Sequence, residues 1–64
     1  MAETTTESLL KQALGHAKKA ARAIDSATDY AVTDGPVDPA RYAYYRNDAI
    51  AQLEFALTAL RAAK

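Results

Sequence analysis

The sequence predicts an all-α protein, an antiparallel hairpin of two long helices that self-associates, most simply as a dimeric four-helix bundle. Sixteen of the 64 residues are alanine, which is the strongest helix former. Three of the four glycine and proline residues stand in one short segment, 33–39. On either side of that segment, apolar residues recur at the spacing of one helix face. Together these observations predict a single helical-hairpin domain over residues 1–64.

The beginning and the end of helix one are both signalled in the sequence. Thr4 and Glu7 have the spacing of a capping box, which predicts that a helix starts near residue 5. Gly35 suits the left-handed end of a helix, and Pro36 cannot continue one. Helix one is therefore predicted over about residues 5–33.

The turn is predicted over residues 34–38, and helix two over about 39–63. Asp38 is the expected N-cap, with Pro39 at the first helical position. Gly15 lies inside helix one, where it costs up to about 1 kcal/mol relative to alanine. A glycine is useful there if another backbone approaches closely.

Each predicted helix carries an apolar stripe that is expected to form the seam between the two helices. On helix one the stripe comprises Leu10, Ala13, Leu14, Ala17, Ala20, Ala21, Ile24, Ala27 and Ala31. On helix two it comprises Tyr42, Ala49, Ile50, Leu53, Ala56, Leu57 and Leu60. The short connection makes the helices antiparallel. A chain of this length buries little apolar surface and is marginally stable alone, which predicts a partner.

A second stripe on helix two points roughly away from the seam, and its spacing resembles a heptad pattern. Its members are Tyr44, Ala51, Phe55 and Ala62, and Leu9 lies on the flank of helix one. A single hairpin has only one internal seam, so these residues are predicted to contact another chain. Two-fold pairing of identical chains is the simplest solution, and another protein is a possible partner.

Composition argues against most other functional classes. The formal net charge is zero, there is no cysteine, and His16 is the only histidine. Disulfides are thereby excluded, and zinc or iron sites are disfavoured. No apolar run is long enough for a bilayer, and residues 1–7 do not resemble a secretory signal. The expectation is a cytoplasmic protein without catalytic residues, cofactor or metal, and not an enzyme.

Two groups of residues are candidate contacts for phosphate groups. Lys18, Lys19 and Arg22 form a basic ridge on the outer side of helix one, suited to nucleic acid or a cyclic nucleotide. A solvated helix face is the alternative explanation. Near the turn, Tyr30 is expected beside Tyr45 and the other tyrosines of helix two. That cluster is either an aromatic plug closing the seam or a binding surface.

Arg46 completes the candidate anion contacts. It is predicted to fall near the seam, where a buried arginine needs a carboxylate partner. Asp25 or Asp29, across the hairpin, are the expected partners. If neither reaches Arg46, this arginine is the best single candidate for binding an anion.

The length and layout resemble plasmid copy-number modulators, small hairpin dimers that form four-helix bundles and bind RNA. The segment from Asp38-Pro-Ala-Arg-Tyr to Ala59-Leu-Arg-Ala is similar to helical-hairpin phage proteins that sequester cyclic nucleotides. The first likeness shares no motif, and in the second the spacing differs by several residues. Neither therefore transfers a site. The overall prediction is a small oligomeric protein that acts by binding or regulation through protein–protein contacts. The alternative is nucleic-acid or nucleotide binding.

Overall fold

A computed structural model describes residues 5–32 and 35–64 of the chain. Helix α1 spans Thr5–Asp29 and helix α2 spans Pro39–Ala62. They pack side by side as a hairpin, with Cα dimensions of 51 × 15 × 14 Å. Between them lie two short strands, β1 (Ala31–Val32) and β2 (Gly35–Pro36). The predicted helical hairpin is confirmed.

The predicted start of α2 is confirmed in detail. Asp38 has extended backbone angles, and its Oδ1 accepts a hydrogen bond of 3.2 Å from the backbone N–H of Arg41. This bond satisfies one of the amides that a helix leaves unpaired at its first turn. Pro39 occupies the first turn, where its missing N–H costs nothing. The predicted capping box of α1 involves Thr4, which lies outside the described residues.

Helix α1 ends at Asp29, earlier than the predicted end near residue 33. The chain turns at Tyr30, and the two strands then pair antiparallel, with Ala31 opposite Pro36 and Val32 opposite Gly35. Gly35 has a φ of 129°, which a residue with a side chain rarely adopts. The backbone N–H of Val37 donates to the carbonyl of Tyr30 at 2.6 Å. This pairing replaces the last helical turn that the sequence was expected to form.

The interface between the helices is built from alanine. All seven buried hydrophobic residues of the described chain are alanines, and no large side chain there is fully buried; they are Ala13, Ala20, Ala23, Ala27, Ala49, Ala56 and Ala59. Partly buried side chains at the same helical spacing extend this alanine seam, namely Leu9, His16, Tyr30, Tyr42, Tyr45 and Gln52. Leu9, predicted to lie on a free flank, packs against Ala13, Ala56 and Ala59.

The predicted seam is correct for five of its alanines, which are buried, but wrong for most of its large residues, which lie outside the alanine seam. Seven of them remain 44–55% exposed and form what we call the leucine face: Leu10, Leu14, Ile24, Ile50, Leu53, Leu57 and Leu60. A groove of about 420 Å³ runs between the two helices there, lined by Ile24 and Ala27 of α1 and by Ile50 and Leu53 of α2. The leucine face is thus a continuous surface on one side of the hairpin.

The difference arises because two apolar rows run along each helix. At 3.6 residues per turn, the row through Leu10, Leu14 and Ile24 lies about 100° around α1 from the row through Ala13, Ala20 and Ala27. Only one row can face the other helix of the same hairpin. The alanine row does so, since small side chains let the two backbones come close.

Gly15 does not mark a close approach of backbones. A Cβ atom placed on Gly15 would meet no atom within 4 Å. The suggestion that this glycine makes room for another backbone therefore finds no support within the described hairpin.

Candidate functional site

The groove on the leucine face extends to Tyr42 and Ala31 near the turn, and Arg46 lines it as well. The guanidinium of Arg46 lies over the ring of Tyr42, 5.8 Å from its centroid, and Nη2 donates to Oδ1 of Asn47 at 3.4 Å. Arg46 is exposed, so water hydrates its charge. The expected ion pair with Asp25 or Asp29 does not form within the described hairpin. The groove therefore combines aliphatic walls with one cation at its edge.

The opposite side of the hairpin carries the predicted second stripe. Tyr44 and Phe55 are 67% and 55% exposed, Ala51 is partly buried, and Ala62 is exposed. Phe55 nevertheless has an intrachain partner, because its ring centroid lies 5.2 Å from that of His16. This stripe has fewer large apolar side chains than the leucine face, whose residues were predicted to lie in the interior.

His16 lies in the seam between the two helices. Its Nδ1 is 2.7 Å from Oε1 of Gln52, and an amide oxygen can only accept, so Nδ1 donates. The hydrogen bond fixes the imidazole between Gln52 and Phe55. His16 is therefore a partly buried structural residue of the hairpin.

Three of the four tyrosines form one cluster near the turn. Tyr30 stacks on Tyr45, with centroids 5.9 Å apart and planes at 11°, and Tyr44 meets Tyr45 edge-on at 5.2 Å. Tyr44 was predicted to belong to the second stripe and Tyr42 to the seam. The structure places Tyr44 against Tyr45, and Tyr42, at the edge of the seam, lines the groove of the leucine face.

Arg41 binds the outer side of this cluster. Its Nη1 donates to the hydroxyl of Tyr30 at 3.2 Å, and its Nε lies 3.7 Å from Oδ2 of Asp38. The hydrogen bond to Tyr30, followed by charge interactions with Tyr30 and Asp38, raises the pKa of Arg41 above its usual value. The guanidinium therefore stays charged, and its role here is to link the N-cap of α2 to the aromatic cluster.

A polar cleft of about 230 Å³ opens beside the tyrosines, on the side opposite the leucine face. It is lined mainly by polar side chains, which are Lys19, Arg22, Ser26, Tyr45, Asp48 and Gln52. Three of the six predicted anion contacts, Lys19, Arg22 and Tyr45, thus come together here. Ser26, Asp48 and Gln52 were missed.

The other three predicted anion contacts lie outside the cleft. Tyr30 packs behind Tyr45, Arg46 lies at the groove of the leucine face, and Lys18 lines neither. One signal for the missed residues was present in the sequence. Gln52 is three residues from Ala49, four from Asp48 and seven from Tyr45, which places it on their side of α2 and beside the alanine seam.

Comparisons place no further constraint on the site. Among residues 5–32 and 35–64, no three His, Cys, Asp or Glu side chains are grouped so that they would hold a metal ion. Neither described helix is long and apolar enough to cross a membrane. Comparisons with family models, with curated proteins and with solved structures found no match to this chain.

Proposed function

We propose that this chain is a small, non-enzymatic, oligomeric binding or regulatory protein that acts through protein–protein contacts, with the leucine face as its main contact surface. A single observation carries the proposal. Seven large aliphatic side chains stand about half exposed on one side of a hairpin whose interior is filled by alanine. An exposed apolar surface of this extent is typical of an interaction site.

The energy available from this face is large enough for stable binding. Full burial of a leucine or isoleucine contributes about 1.5–3 kcal/mol, so covering the exposed half of seven such side chains contributes roughly 5–10 kcal/mol. A micromolar complex requires about 8 kcal/mol of net binding free energy, after the losses of motion that accompany association. Two apposed leucine faces would contribute about twice the amount of one face, which offsets those losses.

His16 and Arg41 are both engaged in structural contacts, which supports a binding role rather than a catalytic one. His16 is held by Gln52 and Phe55, and Arg41 joins Tyr30 to the N-cap of α2. The hairpin offers a preorganised surface, so little ordering accompanies binding. The proposal places the protein in the cytoplasm, supported by its cysteine-free sequence.

Photocrosslinking tests this function. A photoreactive phenylalanine analogue at Leu57, on the leucine face, is expected to give covalent protein adducts in an extract of the native host and in the purified sample. The same group at Glu54, exposed on the outer side of α2, is the matched control. Equal adduct yields at the two positions, or none at Leu57, would contradict the proposal.

A second candidate function rests on the polar cleft. Lys19 and Arg22 can donate charge-assisted hydrogen bonds to a phosphate. Tyr45 lines the same cleft, where an aromatic side chain can contact a base. Asp48 can accept a hydrogen bond from an amino group of that base. This arrangement favours a nucleotide or a single-stranded nucleic acid as the ligand.

Charge reversal distinguishes this candidate from a solvated helix face. Lys19→Glu is expected to weaken binding of a cyclic dinucleotide or a short oligonucleotide at low salt by at least about tenfold, or about 1.4 kcal/mol. Lys18→Glu makes the same change one residue away, outside the cleft, and is expected to have a smaller effect. Fluorescence anisotropy measures both. If the wild-type protein binds neither probe at low salt, the cleft has no such function.

A further inference from the structure

The side of the hairpin that carries the leucine face has the dimensions of a complete protein interface. The Cα extents of the hairpin, 51 × 15 Å in the plane of its broad side, give a projected area of about 750 Å². A stable complex of standard size buries about 800 Å² on each partner. One side of this hairpin is therefore large enough for a two-chain interface, and no additional surface is needed.

Contacts across the alanine seam define which residues of the two helices lie at the same height. His16 contacts Phe55, and Tyr30 contacts Arg41. In each pair the two residue numbers total 71, so residues of α1 and α2 whose numbers total 71 lie at the same height along the hairpin. Leu14 is therefore level with Leu57.

The same rule aligns the middle of the leucine face. Ala21 is level with Ile50, and Ala17 is level with a position next to Leu53. Ala17 and Ala21 are both exposed and continue the row of Leu10, Leu14 and Ile24 on α1. At the middle of the leucine face, the side chains on α1 are therefore small and those on α2 are large.

Two copies of such a surface are complementary when a two-fold axis parallel to the helices relates them. This rotation lays α1 of one copy against α2 of the other, antiparallel and at the same height. Ile50 and Leu53 of each copy then project over Ala21 and Ala17 of the other, so large side chains meet small ones. A two-fold axis across the helices would instead oppose alanine to alanine and leave a gap in the interface.

We propose that a second copy of this chain covers the leucine face, in a four-helix bundle whose two-fold axis runs parallel to the helices. This inference rests on the proposed function and names the partner in it. This arrangement also brings Arg46 level with Asp25 of the second copy. Asp25 then offers the carboxylate that Arg46 does not contact within its own hairpin.

Solution mass tests whether the partner is a second copy. The wild-type protein at about 50 µM is expected to have twice the chain mass of 6.9 kDa, measured by light scattering. Leu53→Asp places a charge in the interface and is expected to raise the dissociation constant at least about 100-fold. Phe55→Asp, on the opposite side, is the matched control and is expected to remain a dimer.

The outcomes separate this inference from the function on which it rests. A helical wild-type monomer at 50 µM overturns the second copy as partner, and crosslinks from Leu57 to a different protein would then leave the proposed function standing. Dissociation by Phe55→Asp but not by Leu53→Asp overturns the choice of face. A monomeric wild type that also gives no adducts at Leu57 overturns both proposals.

Engineered cysteines test how the two chains are arranged in the proposed dimer. This test does not require the Leu53→Asp variant to fold. The chain has no cysteine of its own. A mixture of Ala21→Cys and Ile50→Cys chains is expected to form a disulfide between the two variants on mild oxidation, because these positions meet across the proposed interface. Ala21→Cys alone is expected to stay uncrosslinked. Crosslinking of Ala21→Cys to itself, without the mixed product, would overturn the parallel axis.

Discussion

Replacing Ala20 by leucine is expected to lower the free energy of unfolding by about 1–3 kcal/mol, the usual cost of overpacking a filled core. Ala20 has no exposed surface and lies in the alanine seam near the middle of α1. Three additional carbon atoms at this position have no space unless the two helices separate. Separation would reduce the contact of the neighbouring alanines Ala23 and Ala49 as well.

Urea denaturation followed by circular dichroism at one fixed protein concentration measures this effect. Ala62→Leu is the control, since it makes the same substitution at an exposed position near the end of α2, and we expect its unfolding free energy to stay within about 0.5 kcal/mol of the wild type. An Ala20→Leu protein as stable as Ala62→Leu would show that the alanine seam is not the interior of the hairpin.

The helical hairpin itself was predictable from local signals. Asp38 and Pro39 specify the start of α2 through backbone chemistry that acts within four residues. The end of α1 was placed too late, because Gly35 was interpreted as the cap of a helix. Its φ of 129° instead serves a short strand pair. The strand pair joins residues on both sides of the turn. Sequence signals that mark the end of one helix do not predict such pairing.

The choice of buried row was harder to predict, for a physical reason. Hydrophobicity favours burying Leu14 and Leu57, whereas close approach of two backbones favours Ala13 and Ala56. A count of apolar residues at helical spacing merges both rows into one stripe. The seven-residue intervals from Ala13 to Ala20 to Ala27 were present in the sequence. Leu10, Ala17 and Ile24 have the same intervals, so the spacing alone does not identify the seam.

The candidate sites could be predicted only as sets of residues. Lys19 and Arg22 were recognised as a ridge, but their grouping with Tyr45 and Asp48 depends on the register between the helices. That register follows from contacts such as His16 with Gln52, which join residues far apart in sequence. The two faces of the hairpin were recognised as apolar stripes, but the large residues of the stripe assigned to the interior are exposed on the leucine face.

The thermal unfolding midpoint of the wild-type protein is expected to depend strongly on its concentration. If the native state is a dimer held by the leucine face, dilution shifts the equilibrium towards unfolded monomer by mass action. A 100-fold dilution, from about 100 µM to about 1 µM, lowers the free energy by about 2.7 kcal/mol per dimer, or about 1.4 kcal/mol per chain. For a chain of this size the midpoint should fall by roughly 5–10 °C.

Leu53→Asp is the control for this prediction, because a variant that no longer associates unfolds as a monomer at every concentration. Its midpoint is expected to be lower than that of the wild type and to stay constant on dilution, whereas the midpoint of Phe55→Asp should shift as the wild type does. Circular dichroism at 222 nm follows unfolding in all three proteins. A wild-type midpoint that stays constant over the 100-fold range would mean that the alanine seam alone stabilises the hairpin. The leucine face would then be left without a role in stability.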